Sequence, residues 1–304
     1  MYKLIAKYYN NLISFFAKLF ISFWAVYYLW YHHYFNYFLK EVKLNSTVKL
    51  VFILIGFSLV NWFFEVKKWK FLASQLQNIS FVEAVKQSLI SFSISLLTPN
   101  RFGEYGVKVL FYPKELYKKV LMLNLIGNLS QLLVSILMGI IGCMVWFFSD
   151  HQILLNKISI FTSNYLFFIF LFILLAALYF KFIYGRNLVI NKLHVWSKSF
   201  LYAGLKYAVF STQFLILILF FYPQVNMSFL YSGIFIVYFI SALVPMLAFL
   251  DWAVKSSVAI WVLAQIGLPE SIVFTTVVLM WLTNFLLPFL IGLSMMWFYK
   301  NKGR

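Results

Sequence analysis

Apolar runs of membrane-spanning length dominate this chain and restrict it to few folds. A transmembrane helix needs about 20 consecutive apolar residues, and a helix satisfies its backbone hydrogen bonds internally, as lipid requires. Runs of this length fall near residues 12–31, 48–66, 120–148, 161–181, 201–222 and 272–298. Together with 63% hydrophobic and 11% charged residues and a mean hydropathy of +0.88, they predict an all-α, polytopic integral membrane helical bundle.

The chain is strongly basic, with 25 Lys+Arg residues against 8 Asp+Glu and a formal net charge of +17. In a soluble protein this balance would suggest nucleic acid as a partner. Here the basic residues gather between apolar runs, where they act as topology signals and contact anionic headgroups. Segments 1–18, 67–86, 114–119, 181–206 and 300–304 hold 18 of them, and the alternate segments 40–49, 149–160, 223–227 and 267–271 hold 4. We expect no nucleic-acid partner and a multi-pass protein of a bacterial- or archaeal-type plasma membrane, with both termini in the cytoplasm.

A charged motif occurs twice inside otherwise apolar stretches, about half the chain length apart. From the acid onward each copy reads acid, aromatic, small residue, Val, Lys. Pro99 and Pro245 lie 146 residues apart and Lys108 and Lys255 lie 147 apart, so one inserted residue aligns the two copies. The copies are Glu104-Tyr105-Gly106-Val107-Lys108 and Asp251-Trp252-Ala253-Val254-Lys255.

The prolines predict helix breaks inside the membrane, because proline lacks a backbone donor and restricts the residue before it. Each break lies in a longer stretch, residues 82–119 or 228–268, that we expect to form a re-entrant hairpin. Lysine counting places the first hairpin on the cytoplasmic side and the second on the outer side. The sequence therefore predicts one transmembrane domain over residues 1–304, built from inverted-topology repeat halves at about 48–148 and 201–298.

The acid and the lysine of each copy are spaced i,i+4 with the acid first, the favoured arrangement for an ion pair on a helix. One interpretation is that Glu104–Lys108 and Asp251–Lys255 are structural pairs that hold the broken helices together. The other is that they line a hydrated transport cavity, because charge at bilayer depth is costly. Arg101 has no acid at this spacing, and its surplus positive charge suits a phosphate-bearing headgroup.

Polar residues around the first break are further candidates. The helix after Pro99 would direct free N–H groups and a positive dipole end at an anion, and Gly103 and Gly106 would allow close approach. Thr98 follows a serine face (Ser88, Ser91, Ser95) that fits helix packing as well as a polar pathway. Amides inside apolar runs either bond across helices or contact substrate; they are Asn61, Asn124, Asn128, Gln131, Gln213 and Asn284.

Patterns typical of enzymes are missing from the sequence. The four histidines (His32, His33, His151 and His194) have no ligand or carboxylate pattern around them, and Cys143 is the single cysteine. There is no Gly-rich phosphate loop, zinc-binding His pair or nucleophile elbow. We expect no enzymatic activity, no cofactor and no metal site.

These residues resemble the lysylphosphatidylglycerol synthase transmembrane-region family, also called flippase-like integral membrane proteins. The resemblance covers residues 15–298 and rests on Asn61, Lys67–Trp69, Thr98–Glu104, Pro245–Asp251 and Gly267. It implies a domain involved in moving lipids across the bilayer, here expected without the soluble synthase domain. The chain has Ala248, Phe249 and Asp251 where the family has glycines and a glutamate, and an amide such as Asn128 where the family has an arginine.

The sequence and the resemblance together suggest translocation of a phospholipid or lipid-linked phosphate between leaflets, with anionic or phosphate-bearing membrane lipids as partners. The alternative is a non-catalytic accessory or scaffold subunit of an enzyme of cell-envelope lipid or glycan synthesis, which would then be the partner. The candidate substrate-binding residues are Thr98, Arg101, Gly103, Glu104, Lys108, Asn128, Asp251 and Lys255.

Overall fold

The computed structural model describes residues 2–45, 48–98, 102–148, 193–244 and 246–302. The regular elements of these segments are all helical, which confirms the predicted all-α class. A π-helical turn, Leu282–Leu286, joins the last two helices. The α-helices are α1 (Tyr2–Tyr31), α2 (Tyr34–Asn45), α3 (Val48–Ala73), α4 (Phe81–Leu97), α5 (Phe102–Val109), α6 (Tyr117–Phe148), α7 (Leu193–Phe221), α8 (Met227–Leu243), α9 (Asp251–Leu263), α10 (Glu270–Trp281) and α11 (Leu287–Lys302).

Five segments within the described ranges are long and apolar enough to cross a membrane, which supports an integral membrane protein. Four of them coincide with predicted runs, and the fifth is the helical stretch after the second predicted break. The predicted run at 161–181 lies outside the described residues, and the run at 12–31 falls in α1. The five segments are Val48–Ala73, Lys114–Trp146, Leu193–Phe221, Ala248–Ile266 and Glu270–Trp297.

Both predicted helix breaks are present. Helix α4 ends at Leu97 and Thr98 is extended, and helix α8 ends at Leu243 and Val244 is extended. The two helices have 17 residues each, and both their first and their last residues lie 146 positions apart, which matches the offset of the prolines. The breaks are therefore confirmed, whereas the re-entrant path of each hairpin and the inverted orientation of the halves stay predictions.

The two halves pack reciprocally. Helix α6 of the first half packs along α8 of the second, and α11 of the second half packs along α4 of the first. Glycine permits both close contacts: a Cβ at Gly142 would overlap the carbonyl of Ser232, and a Cβ at Gly292 would overlap the carbonyl of Leu89. Helix α3 packs along α7, its counterpart in the other half. The broken helices are thus held by spans of the opposite half.

Buried apolar residues form two clusters, one around each motif. The larger cluster packs α8, α9 and α10 against α2 and α7, and includes Phe214 and Phe274. The smaller cluster joins the end of α3 to α5 and the start of α6 around Trp69. Each charged motif is consequently anchored in its own apolar packing, and its polar atoms face inward between the halves.

Candidate functional site

A cavity of about 540 Å³ brings the two charged motifs together. Its lining comes from α1 and α3 to α9 and from the π-helical turn. The acid and the lysine of both motif copies line it, as the sequence predicts for a shared site. The charged lining residues are Lys18, Glu65, Lys68, Glu104, Lys108, Lys206, Asp251 and Lys255.

In the first copy the lysine is held by several groups at once. Lys108 Nζ lies 2.8 Å from Glu104 Oε1 and donates to Asn124 Oδ1 at 2.7 Å. It also lies 4.0 Å from the centroid of the Trp69 ring, close enough for a cation–π contact. The Lys108 side chain is 4% exposed and that of Glu104 is 16% exposed, so the carboxylate is the more accessible charge.

In the second copy the exposure is reversed. Lys255 Nζ lies 2.7 Å from Asp251 Oδ2 and 4.8 Å from the centroid of the Phe285 ring. Here the lysine side chain is 20% exposed and the aspartate side chain 5%. Helix α9 begins at Asp251, so the buried carboxylate also lies at the positive end of the helix dipole. The second copy therefore presents a cation to the cavity.

A third ion cluster was not predicted. Glu65 Oε2 of α3 accepts from Lys68 at 2.9 Å and from Lys206 of α7 at 2.7 Å. Lys18, Lys68 and Lys206, which belong to the basic segments of the predicted topology, also line the cavity. Without these three lysines, the predicted cytoplasmic segments still hold 15 basic residues against 4 in the alternate segments, so the charge bias has the same direction. The sequence held one signal for this cluster, the i,i+3 spacing of Glu65 and Lys68 at the end of an apolar run.

The cavity carries more positive than negative charge. Among its described lining residues five lysines face three carboxylates, a formal excess of +2. The three carboxylates are also three of only eight in the sequence. Because charges interact more strongly away from bulk water, this excess favours an anionic ligand.

Polar side chains of the lining hold hydrogen-bonding atoms that have no partner within the described part of the chain. Burying such an atom without a partner is costly, so water or a ligand in the cavity would satisfy it. Phenol and hydroxyl groups could donate to an oxyanion. These atoms are Asn61 Oδ1, Ser88 Oγ, Gln131 Oε1, Tyr207 OH, Tyr238 OH and Ser241 Oγ.

An amide network beside the cavity fixes the π-helical turn. Asn284 Oδ1 accepts from Asn61 at 3.0 Å, and Asn284 Nδ2 donates to Gln213 at 2.9 Å. Trp62 Nε1 donates to the Asn284 carbonyl at 3.0 Å. π-helical turns are frequent at functional sites, and this one directs Asn284 and Phe285 to the cavity. The amides predicted to bond across helices therefore do so here.

The predicted candidates around the first break have mixed placements. Asn128 lines the cavity and donates to Tyr105 OH at 2.9 Å. Thr98 Oγ1 accepts from the Gly103 N–H at 2.8 Å, so these two residues bond to each other across the break. A Cβ at Gly103 would lie 2.7 Å from the Ile94 carbonyl oxygen, so α4 and the first turn of α5 approach each other closely at this glycine. A Cβ at Gly106 would meet no atom within 4 Å, and the approach of an anion to these two glycines stays a prediction.

Arg101, with Pro99, lies outside the described residues. Ser88 lines the cavity, whereas Ser91 and Ser95 donate to carbonyls of their own helix. The described residues contain no group of three or more His, Cys, Asp or Glu side chains that could hold a metal ion. The site is thus defined by its lysines, carboxylates and amides.

Comparison with known proteins does not assign the chain to a family. No family model matches the chain, and no curated protein matches it in sequence. The resemblance to the lysylphosphatidylglycerol synthase transmembrane region therefore rests on the residues quoted above and stays a prediction.

Proposed function

We propose that the cavity binds the phosphate-bearing headgroup of a phospholipid or lipid-linked phosphate and carries it between the leaflets of the membrane. The observation that supports this most is the meeting of both charged motifs at one cavity with a formal excess of +2. A charge placed at bilayer depth costs about 2.5–3.5 kcal/mol, so a polar path is needed for a headgroup to cross. The lining lysines and unpartnered hydroxyls would supply it.

The size of the cavity fits a headgroup. Ligand pockets usually measure about 300–1,000 Å³, and this cavity measures about 540 Å³. A headgroup with its phosphate would fill such a volume, while the acyl chains would stay in the surrounding lipid. The lysines would compensate the phosphate charge, and the carboxylates would keep the cavity polar when no ligand is bound.

The proposal includes inverted halves, which would let the cavity face either leaflet. Single cysteines at Lys118 and Gly267, both exposed, test this in a Cys143→Ser background. An impermeant maleimide should label them from opposite sides of sealed vesicles. Labelling of both from the same side would exclude the inverted arrangement.

Lipid movement is tested by reconstitution into phosphatidylcholine vesicles that contain a trace of fluorescent phosphatidylglycerol. With wild-type protein, dithionite should bleach inner-leaflet probe as well as outer-leaflet probe. The double variants Glu104→Gln/Lys108→Met and Asp251→Asn/Lys255→Met should insert normally, because removing both partners of a buried pair is often neutral. Their bleaching should approach that of protein-free vesicles.

The matched control is Lys67→Met. Lys67 is next to the cavity residue Lys68, but its ammonium lies over the Phe63 ring at 5.3 Å from the centroid, and Lys67 is outside the lining. Bleaching should match wild type in this variant. Wild-type activity in both double variants would overturn the proposed site. No inner-leaflet bleaching with wild-type protein would overturn translocation and favour the accessory subunit.

A further inference from the structure

The cluster of Glu65, Lys68 and Lys206 connects the two halves across the cavity. Glu65 and Lys68 lie on α3 of the first half, and Lys206 lies on α7 of the second. One carboxylate oxygen, Glu65 Oε2, accepts from both ammonium groups, at 2.9 Å and 2.7 Å. Lys108 and Lys255, in contrast, each pair with a carboxylate of their own motif.

The charge of this cluster is +1, because two lysines share one carboxylate. The two lysines differ in access: the Lys206 side chain is 27% exposed and the Lys68 side chain 5%. An anion in the cavity can therefore contact Lys206 while Lys68 stays covered behind Glu65. Of the lysines in these ion pairs, Lys206 is the most exposed.

Unpartnered polar groups accompany the cluster in the cavity lining. Tyr207, the neighbour of Lys206, is buried, and its hydroxyl has no partner among the described residues. The hydroxyl of Tyr238 also has no partner among the described residues, and the ring centre of Tyr238 lies 5.8 Å from that of Tyr207. Both hydroxyls can donate to a phosphate oxygen. The lining thus offers neutral donors as well as ammonium groups to an oxyanion.

We propose that Lys206, together with Lys68, is the phosphate subsite of the cavity and that an incoming phosphate displaces the Glu65 carboxylate. Glu65 occupies the place of the ligand oxyanion when the site is unliganded, and it keeps two lysines paired inside an apolar bundle. This inference rests on the proposed function and names the residues that hold the phosphate. Its ligand class is a phosphate ester.

The two sides of the Glu65–Lys206 ion pair should have opposite effects on binding. Lys206→Met removes a ligand contact, and losing a charge-assisted hydrogen bond should weaken phosphate binding by about tenfold or more. Glu65→Gln removes the internal competitor and should tighten binding several-fold. A structural ion cluster would instead show weaker or unchanged binding in both variants.

Calorimetric titration of the full chain in a neutral detergent measures this. The probes are dihexanoyl phosphatidate, inorganic phosphate and dihexanoylglycerol, which separate a lipid headgroup, a free phosphate and a lipid without phosphate. Wild type should bind phosphatidate and not dihexanoylglycerol. Tighter binding of inorganic phosphate than of phosphatidate would overturn a lipid as the source of the phosphate.

Lys198→Met is the matched control. It makes the same change two helical turns away on α7, where Lys198 lies over the Phe71 ring outside the cavity lining. Binding should be unchanged. Lys206→Arg, which keeps charge and donors, should retain most of the affinity of wild type.

If Glu65→Gln does not fold, the double variant Glu65→Gln/Lys206→Met removes both partners and keeps the test open. Its binding should be as weak as that of Lys206→Met, and wild-type affinity would overturn the subsite. Unchanged affinity for phosphatidate in Lys206→Met would also overturn the subsite. Binding without lipid movement in vesicles would reject translocation and leave the subsite in place, whereas lipid movement that is insensitive to Lys206→Met would reject the subsite alone.

Discussion

In the first copy of the motif the lysine is covered and the carboxylate is accessible, whereas in the second copy the lysine is accessible and the carboxylate is covered. The two copies have the same spacing and nearly the same ion-pair distance, 2.8 Å and 2.7 Å. They differ in surroundings: Asn124 and Trp69 enclose Lys108, and the larger apolar cluster encloses the helix that carries Asp251. Two copies of a motif with the same spacing can therefore present opposite charges to one cavity.

This difference revises the expectation about the two copies. The surplus charge of Arg101 suggested that the first copy contributes most to headgroup binding. Exposure indicates that Lys255 and Lys206, both in the second half, are the ion-paired cations that a ligand meets first. If exposure distinguishes the two copies, matched variants should differ in stability, measured as the unfolding temperature and the free energy of unfolding in one neutral detergent.

The largest effect is expected when a lysine is removed from the second copy. Lys255→Met leaves the covered Asp251 carboxylate without its cation, and breaking a buried pair in this way costs about 3–5 kcal/mol. Lys108→Met leaves the accessible Glu104, which water in the cavity can hydrate, although Asn124 Oδ1 loses its donor. We expect Lys108→Met to lose about half as much free energy of unfolding as Lys255→Met. Equal losses would show that exposure does not distinguish the copies.

When the acid of each copy is removed instead of the lysine, the first copy should lose more stability than the second. Glu104→Gln removes the carboxylate that pairs with the covered Lys108, and we expect a loss of about 3 kcal/mol. Asp251→Asn leaves Lys255, which is partly exposed and can be hydrated, so a loss of about 1 kcal/mol is expected. Thermal unfolding of the two amide variants measures this. A larger loss in Asp251→Asn than in Glu104→Gln would contradict the crossed pattern.

The sequence predicted the features that depend on neighbours along the chain. Proline chemistry predicted both breaks, and the i,i+4 spacing predicted both ion pairs. The Glu65–Lys206 contact joins residues 141 positions apart, and only the packing of α3 on α7 brings them together. Lys206 lies near the start of the apolar run at 201–222, where a topology signal is the ordinary interpretation. Which member of each pair is covered depends on side chains such as Asn124 and Trp69 that come from other helices.

The two copies of the motif also differ in their glycines. Gly103 aligns with Leu250 and Gly106 with Ala253, so only the first copy has glycine at either position. A Cβ at Gly103 would lie 2.6 Å from Thr98 Oγ1 and 2.7 Å from the Ile94 carbonyl oxygen, and this backbone contact cannot move aside. Gly103→Ala should therefore cost about 2 kcal/mol.

Gly106→Ala is the matched control for this prediction. Its Cβ would have open space, and alanine is favoured over glycine inside a helix by about 0.5–1 kcal/mol. The unfolding temperature should rise slightly in Gly106→Ala and fall in Gly103→Ala. A similar fall in both variants would mean that α5 tolerates a Cβ at neither glycine, and would remove the special role of Gly103.

The smallest effect concerns the hydrogen bond that spans the first break. Thr98 aligns with Val244, so Thr98→Val gives the first copy the residue of the second. The substitution removes the acceptor of the Gly103 N–H at 2.8 Å, a group in the first turn of α5 that has no partner within the helix. Losing one such bond should cost about 1 kcal/mol. Thr98→Ser keeps the hydroxyl and should stay near wild type. If Thr98→Val stays near wild type while Thr98→Ser loses stability, the methyl group is what stabilises the break. In that case the two copies end their helices in the same way, through an apolar contact.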